Sequence, residues 1–171
     1  MDVVFLDIDG VLNSDEYFAS NNNDVIKYYK ENKDISNNIE KRITVQMMDI
    51  DMNKFNMLKD AVNALGVYVV IVSSWKKLSV YPQLKEKLIS MGLPIIGETK
   101  DNGSDRGNGI KNYLKVHEVS NYVILDDDIF KDYDDELLSR LIKTSFYEDG
   151  LKEEHIDRLF NSFGNQNVRK K

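Results

Sequence analysis

Val3-Val4-Phe5-Leu6-Asp7-Ile8-Asp9-Gly10-Val11 is the stretch that decides how this chain is read: an apolar run that ends on two acids and a glycine. The run Val3–Leu6 shows no alternation of apolar and polar residues. A strand of that kind is buried on both faces, as in a parallel sheet covered by helices. Acids two residues apart project to the same side while the chain stays extended, so Asp7 and Asp9 both reach the mouth of such a sheet. Gly10 permits a sharp turn and a close backbone approach. Taken alone, the segment also reads as a strand ending in solvated acids, or as a fragment of a calcium loop. The calcium reading fails because Val11 stands where the next alternate acid belongs, and no Glu closes a twelve-residue loop.

Four further apolar runs follow: Val67–Val72, Leu93–Ile96, Tyr122–Leu125 and Leu141–Thr144. Helical spacing lies between them. Phe55, Leu58, Val62 and Leu65 form a stripe that Gly66 stops. Pro82 opens a second stripe, with Leu84, Leu88 and Met91 before Gly92. Ile110, Tyr113 and Leu114 make a third stripe, and Ile156, Leu159, Phe160 and Phe163 a fourth. Strands alternating with helices predict an α/β fold: a doubly wound, Rossmann-like parallel sheet of about five core strands with right-handed crossovers. Ligands bind beyond the carboxyl ends of the strands in such sheets. Two segments resist the pattern. Residues 13–50 are rich in Asn, Asp and Lys and read as an insertion, partly helical around Val25–Tyr29. Residues 97–108 are rich in Gly, Asn and Asp and read as a loop. The polar, basic residues 164–171 are expected to fray.

The chain has 171 residues, 42% hydrophobic and 30% charged, which fits one domain spanning residues 1–171. Its formal net charge of −6, from 23 basic and 29 acidic residues, argues against tight non-specific duplex binding. With no cysteine, disulfides, thiolate zinc sites and cysteine nucleophiles are excluded. No apolar run approaches the roughly 18 residues that span a bilayer. The N-terminus lacks the basic segment of a signal peptide. A cytoplasmic location is the expectation, with no membrane association and no obligate protein partner.

The ends of the other runs supply candidate site residues. Val72-Ser73-Ser74-Trp75-Lys76 closes the second run, and a serine hydroxyl there can donate to an anion; a turn or helix-cap role is an equally good reading. Trp75 reads better as core than as a substrate platform. Leu125-Asp126-Asp127-Asp128 closes the fourth run. Three consecutive carboxylates repel one another, a bound cation offsets that repulsion, and oxygen ligands favour magnesium. Arg106 and Lys111 lie between, and either could balance phosphate charge; spacing does not decide which.

The ordered set is more specific than its parts. Phe5–Ser14, Val72–Trp75, Arg106 or Lys111, and Val123–Asp128 together resemble the haloacid dehalogenase (HAD) superfamily of phosphohydrolases. The spelling is most similar to the HAD domains of RNA repair proteins and to the phosphatase domain of phage polynucleotide kinase/phosphatase. Leu141–Thr144 and Gly150–Lys152 resemble that group's closing strand and helix. Val11 stands where the superfamily often has Thr, a mark of this branch.

The resemblance implies a Mg2+-dependent phosphomonoester hydrolase in which Asp7 attacks phosphorus and forms an aspartyl-phosphate. It implies that Asp9 gives and takes the proton. The implied metal ligands are Asp7, the backbone carbonyl of Asp9, Asp126 and Asp127. The implied phosphate-binding groups are Ser73, Ser74, Arg106 and Lys111, with Arg106 preferred because it is read as lying in a loop. The insertion at 13–50 falls at the first cap position and is too short for a full cap domain, so a small lid or an open site is expected. Its Lys27, Lys30, Lys33, Lys41 and Arg42 could touch a nucleic acid backbone, and Tyr17, Phe18, Tyr28 and Tyr29 could stack on bases. The expected substrate is a phosphorylated small molecule such as a nucleotide, or a nucleic acid 3′ or 5′ end. The alternative is a non-catalytic module of the same fold that binds magnesium or phosphate.

Overall fold

The computed structural model describes residues 1–101 and 105–164. Strand β1 (Asp2–Leu6) leads into helices α1 (Asp15–Glu31), α2 (Ile39–Met48) and α3 (Met52–Leu65). Then come β2 (Tyr68–Ile71), α4 (Tyr81–Ser90), β3 (Ile95–Glu98), α5 (Arg106–Val116) and β4 (Asn121–Asp126). The fold closes with α6 (Asp135–Ser139), β5 (Leu141–Lys143) and α7 (Glu153–Gly164). The five strands form one all-parallel sheet in the order β3-β2-β1-β4-β5. The fold is the doubly wound, Rossmann-like architecture expected of the sequence.

The unalternating runs have the predicted cause. Val4 and Leu6 of β1 face one apolar cluster with Val69, Ile71, Val123 and Leu125, while Val3 and Phe5 face a second with Val70, Tyr122 and Ile124. Helices α3, α4 and α7 cover the first face through Phe55, Leu58, Leu84, Leu88 and Leu159. Helices α5 and α6 cover the second through Ile110, Tyr113 and Leu137. Each such side chain contributes about 1.5–3 kcal/mol on burial. β1, with Val3 to Leu6 fully buried, is therefore fixed at the centre of the sheet. Helix α3 begins where Asp51 accepts the Asn53 amide (2.9 Å) and ends at Gly66.

Four expectations are corrected. The third strand runs Ile95–Glu98 and not Leu93–Ile96, because Pro94 has no amide to give the ladder and only its carbonyl pairs, accepting from the Val69 amide (2.9 Å). The supposed loop 97–108 begins as strand and ends as helix: Gly97 and Glu98 pair with Val70 and Ile71, and α5 starts at Arg106; residues 102–104 of it lie outside the described residues. Phe160 is 40% exposed and leaves the α7 core to Leu159 and Phe163. Gly164 still belongs to α7, and the remainder of the expected fraying tail, residues 165–171, lies outside the described residues.

The insertion is more helical than its composition suggested. Neither α1 nor α2 has a fully buried residue. Its base is held by polar bonds instead: the Tyr17 hydroxyl donates to the carbonyls of Met48 and Ile50, each at 2.9 Å.

The turn after β1 is clasped by the segment that follows β5. Thr144 Oγ1 donates to the Gly10 carbonyl (2.6 Å), and the Leu151 amide to that of Val11 (3.0 Å). Ser14 and the buried Lys54 both bond Asp149, at 3.2 and 2.9 Å. Gly150 makes the clasp possible. Its φ is +59°, and a Cβ there would lie 2.8 Å from the Asn13 carbonyl. Gly150→Ala is expected to cost about 2–3 kcal/mol, from the left-handed backbone and the collision. Thermal unfolding followed by circular dichroism should show a midpoint lowered by roughly 5–10 °C. An unchanged midpoint would mean that the clasp relaxes freely.

Candidate active site

The strand order reverses direction between β1 and β4, and such a reversal opens a crevice beyond the carboxyl ends of those two strands. Asp7 follows β1 and is tied to its neighbour by its own amide, which donates to the Leu125 carbonyl at 2.9 Å. Asp126 is the last residue of β4. Both carboxylates are buried, Asp126 completely.

Arg106 meets them. Its Nη1 donates to Asp7 Oδ2 at 2.7 Å and to Asp126 Oδ2 at 2.6 Å. The guanidinium carbon lies 4.2 Å from the Phe130 ring centroid. Arg106 is the first residue of α5 and not part of a loop, because Asp132 accepts the Asn108 amide (2.8 Å) and lets the helix begin there. Its Nε is buried without a hydrogen-bond partner among the described residues. Lys111 stands one turn on, and pairs with Asp134 at 2.7 Å instead. The structure therefore brings Arg106, and not Lys111, to the carboxylates.

Burial raises the pKa of Asp126, the Asp7 charge raises it further, and Arg106 pulls it back; the net is a carboxyl pushed up to about 7. Asp127 is also raised, by burial first and then by Asp7 and Asp128. Burial disfavours the Arg106 charge, but Asp7 and Asp126 outweigh that, so its pKa lies above the ordinary arginine value. Asp7, Asp126 and Asp127 each offer a carboxylate oxygen, and these atoms lie within 4.8 Å of one another. Three hard oxygen donors facing one point could hold a divalent cation. Gly10 leaves Asp127 its place: its φ is +69°, and a Cβ there would lie 2.2 Å from the Asp127 carboxyl carbon.

Asp9 stands outside this cluster. Its Oδ2 accepts the Trp75 indole N–H at 2.9 Å, and its Oδ1 accepts the Asn13 side-chain amide at 2.9 Å. Asn13 in turn accepts the Gly10 amide at 2.9 Å.

Ser73 is fully buried, and its Oγ accepts the Trp75 amide (3.3 Å), which leaves the hydroxyl hydrogen free to donate. Ser74 is exposed at the start of the 3₁₀ turn Ser74–Lys77. Three residues were not singled out for a site role by sequence. Asn13 is four residues beyond Asp9 across a glycine turn, a spacing that allows the contact without announcing it. The bond from Trp75 to Asp9 has no sequence signal, although the core placement of its ring was legible. Lys76, whose pKa burial lowers, bonds Thr99 Oγ1 (3.0 Å) and pairs with Asp101 beside the crevice.

The family described as HAD domain in Swiss Army Knife RNA repair proteins matches residues 3–156. No curated protein and no solved structure matches the chain.

Removing Arg106 leaves two buried carboxylates facing each other. Arg106→Met is expected to cost about 3–5 kcal/mol near neutral pH. The loss should depend on pH with a definite sign. Asp126 already titrates above its unfolded value, and without Arg106 it titrates higher still. In both proteins the folded state then holds a proton that the unfolded chain does not, so stability falls as pH rises from about 4 towards 7; the fall levels off near 7 in the wild type and continues to higher pH in the variant. Urea unfolding at several pH values measures this, and Asp126→Asn in the same background should flatten it.

Proposed function

The chain belongs to the family of HAD domains in Swiss Army Knife RNA repair proteins, and from that premise we propose that it hydrolyses phosphomonoesters with Asp7 as nucleophile and Asp9 as general acid and base. Family membership points to a phosphatase-type hydrolase; the residues support the finer reading.

The observation that carries it is the division of labour between two acids two residues apart. Asp7 lies in the buried cluster, bonded to Arg106. Asp9 is held apart by neutral donors from Trp75 and Asn13. One acid is thus suited to attack and the other to proton transfer, a pairing of environments that divides roles between carboxylates. In the first step an Asp7 oxygen bonds to phosphorus, the bond to the leaving oxygen breaks, and that oxygen takes the Asp9 proton. In the second, water attacks the aspartyl-phosphate, gives its proton to Asp9 and frees Asp7. Arg106, with its unpartnered Nε, and Ser73, with its free hydroxyl hydrogen, bind phosphoryl oxygens. Asp7, Asp126, Asp127 and the Asp9 carbonyl would hold Mg2+, which offsets the repulsion between carboxylate and phosphate when bound.

The substrate in this reading is a nucleotide or a nucleic acid 3′ or 5′ end, consistent with the RNA repair setting of the family. Helices α1 and α2 form a small lid with exposed Tyr29, Lys27 and Lys30 that could meet such an end.

Hydrolysis of an aryl phosphate should require Mg2+ and fall to background in Asp7→Asn, and beryllofluoride should be trapped on the wild type alone. A panel of nucleotides, sugar phosphates and 3′- and 5′-phosphorylated oligonucleotides would rank substrates. Mg2+ at about 100 times its dissociation constant should stabilise the fold by about 2.7 kcal/mol. Asp126→Asn should lose most of that gain. Stabilisation by Mg2+ with no turnover across the panel would assign the chain as a binding module instead.

A further inference from the structure

Resting on the reading of Asp9 as general acid and base, we propose that Trp75 is a positioning residue for that proton transfer, its indole N–H fixing the Asp9 carboxylate for the leaving-group oxygen. Trp75 is anchored at both levels. Its ring belongs to the apolar cluster beneath the sheet and is only 6% exposed. Its backbone is locked in the turn after β2, where its amide donates to Ser73 Oγ (3.3 Å) and its carbonyl accepts the Leu78 amide (2.9 Å). The indole N–H thus enters the crevice from rigid structure, and Asp9 Oδ2 receives it at 2.9 Å.

The chemistry of the two donors suits the task. An indole N–H and a carboxamide NH₂ give hydrogen bonds and accept no proton. They orient Asp9 without competing for the proton it must move. Each carboxylate oxygen accepts one of these bonds and keeps a second lone pair for the substrate. Holding Asp9 also opposes an electrostatic pull. Arg106 and any cation among Asp7, Asp126 and Asp127 attract a neighbouring carboxylate, and an unrestrained Asp9 would turn toward them. Two neutral bonds, one to each carboxylate oxygen, keep it out of the cluster, ready for the leaving oxygen. Asn13 also supports the Gly10 turn, so its removal would disturb the whole loop. Trp75 is the cleaner probe, because Phe keeps an aromatic ring and removes the donor.

The test compares wild type, Trp75→Phe, Asp9→Asn and the double variant on two aryl phosphates in saturating Mg2+. Phenyl phosphate has a basic leaving oxygen that needs a proton; 2,4-dinitrophenyl phosphate has one that hardly does. Trp75→Phe should lower kcat/KM, which reports the transfer to Asp7 and not the shared hydrolysis of the aspartyl-phosphate, by about tenfold or more on phenyl phosphate and by less than about threefold on the dinitrophenyl ester. In the Asp9→Asn background the same substitution should add less than about twofold, since the two residues act as one unit. Equal losses on both esters, or a full further loss without Asp9, would overturn the role. Absence of wild-type turnover on either ester would instead remove the phosphatase reading and this role with it. Trp75 is the chain's only tryptophan, so fluorescence gives a readout that does not depend on the Phe variant folding. Asp9→Ala should shift the emission by freeing the indole N–H, and an unshifted spectrum would overturn the contact.

Discussion

One guanidinium shared by two buried carboxylates constrains the rest of the structure. Asp7 and Asp126 are nearly or wholly removed from water, and Arg106 bonds both through a single nitrogen. Burying ions costs several kcal/mol each, recovered only when geometry is good. The sheet supplies that geometry. β1 and β4 pair from Asp2 with Asn121 to Leu6 with Leu125, so the residues that follow emerge side by side. Helix α5 must then start beside them, and the Asp132 cap fixes where it starts. Even so, the charges do not balance. One Arg106 pairs with Asp7 and Asp126 while Asp127 lies beside them, and burial first, then the Asp7 charge, keep the Asp126 pKa raised in spite of Arg106. A second cation at this point would offset the excess negative charge, which is a physical reason why these three carboxylates could hold a metal ion.

The same crevice keeps its fourth carboxylate by different means. Among the described residues Asp9 has no charged partner in its hydrogen bonds; it has an indole and a carboxamide. Neutral donors orient a carboxylate without placing a second fixed charge beside it. The pair Asp7 and Asp9 thus differs in surroundings although only Ile8 separates them. Ile8, fully buried, makes that possible: it turns inward between the two acids while Asp7 Oδ1 accepts its amide at 2.8 Å.

The sequence was most legible where burial is two-sided. The runs at β1, β2 and β4 suited strands buried on both faces, and the acids at the ends of β1 and β4 pointed to the crevice. Legibility failed where a local exception outweighed pattern. Pro94 delayed β3, and Asp132, 24 residues beyond the Asn108 amide it accepts, set the start of α5. The insertion was misjudged for a related reason. Helices α1 and α2 bury no residue fully, so they leave only a weak apolar stripe to read. In the site, Arg106 could not be separated from Lys111 by spacing, because both lie near the start of one helix and only the register of that helix decides which enters the crevice.

Asn13 connects these parts. It is fully buried, and its three polar contacts point three ways: to the Gly10 amide, to Asp9, and to the carbonyl of Asp49, at 3.1 Å, at the end of the insertion. Leu12 strengthens the same link, its carbonyl accepting the Asp51 amide at 2.8 Å. The insertion therefore returns to the sheet through the residues that hold the proposed general acid. Its far end has weak packing and can differ in shape without affecting Asp9. Its base cannot, because a shift at Asp49 moves Asn13, and a shift at Asn13 moves both the glycine turn and the Asp9 carboxylate. The helical hairpin thus buries no residue fully, while its root is bonded both to the glycine turn and to the Asp9 side chain.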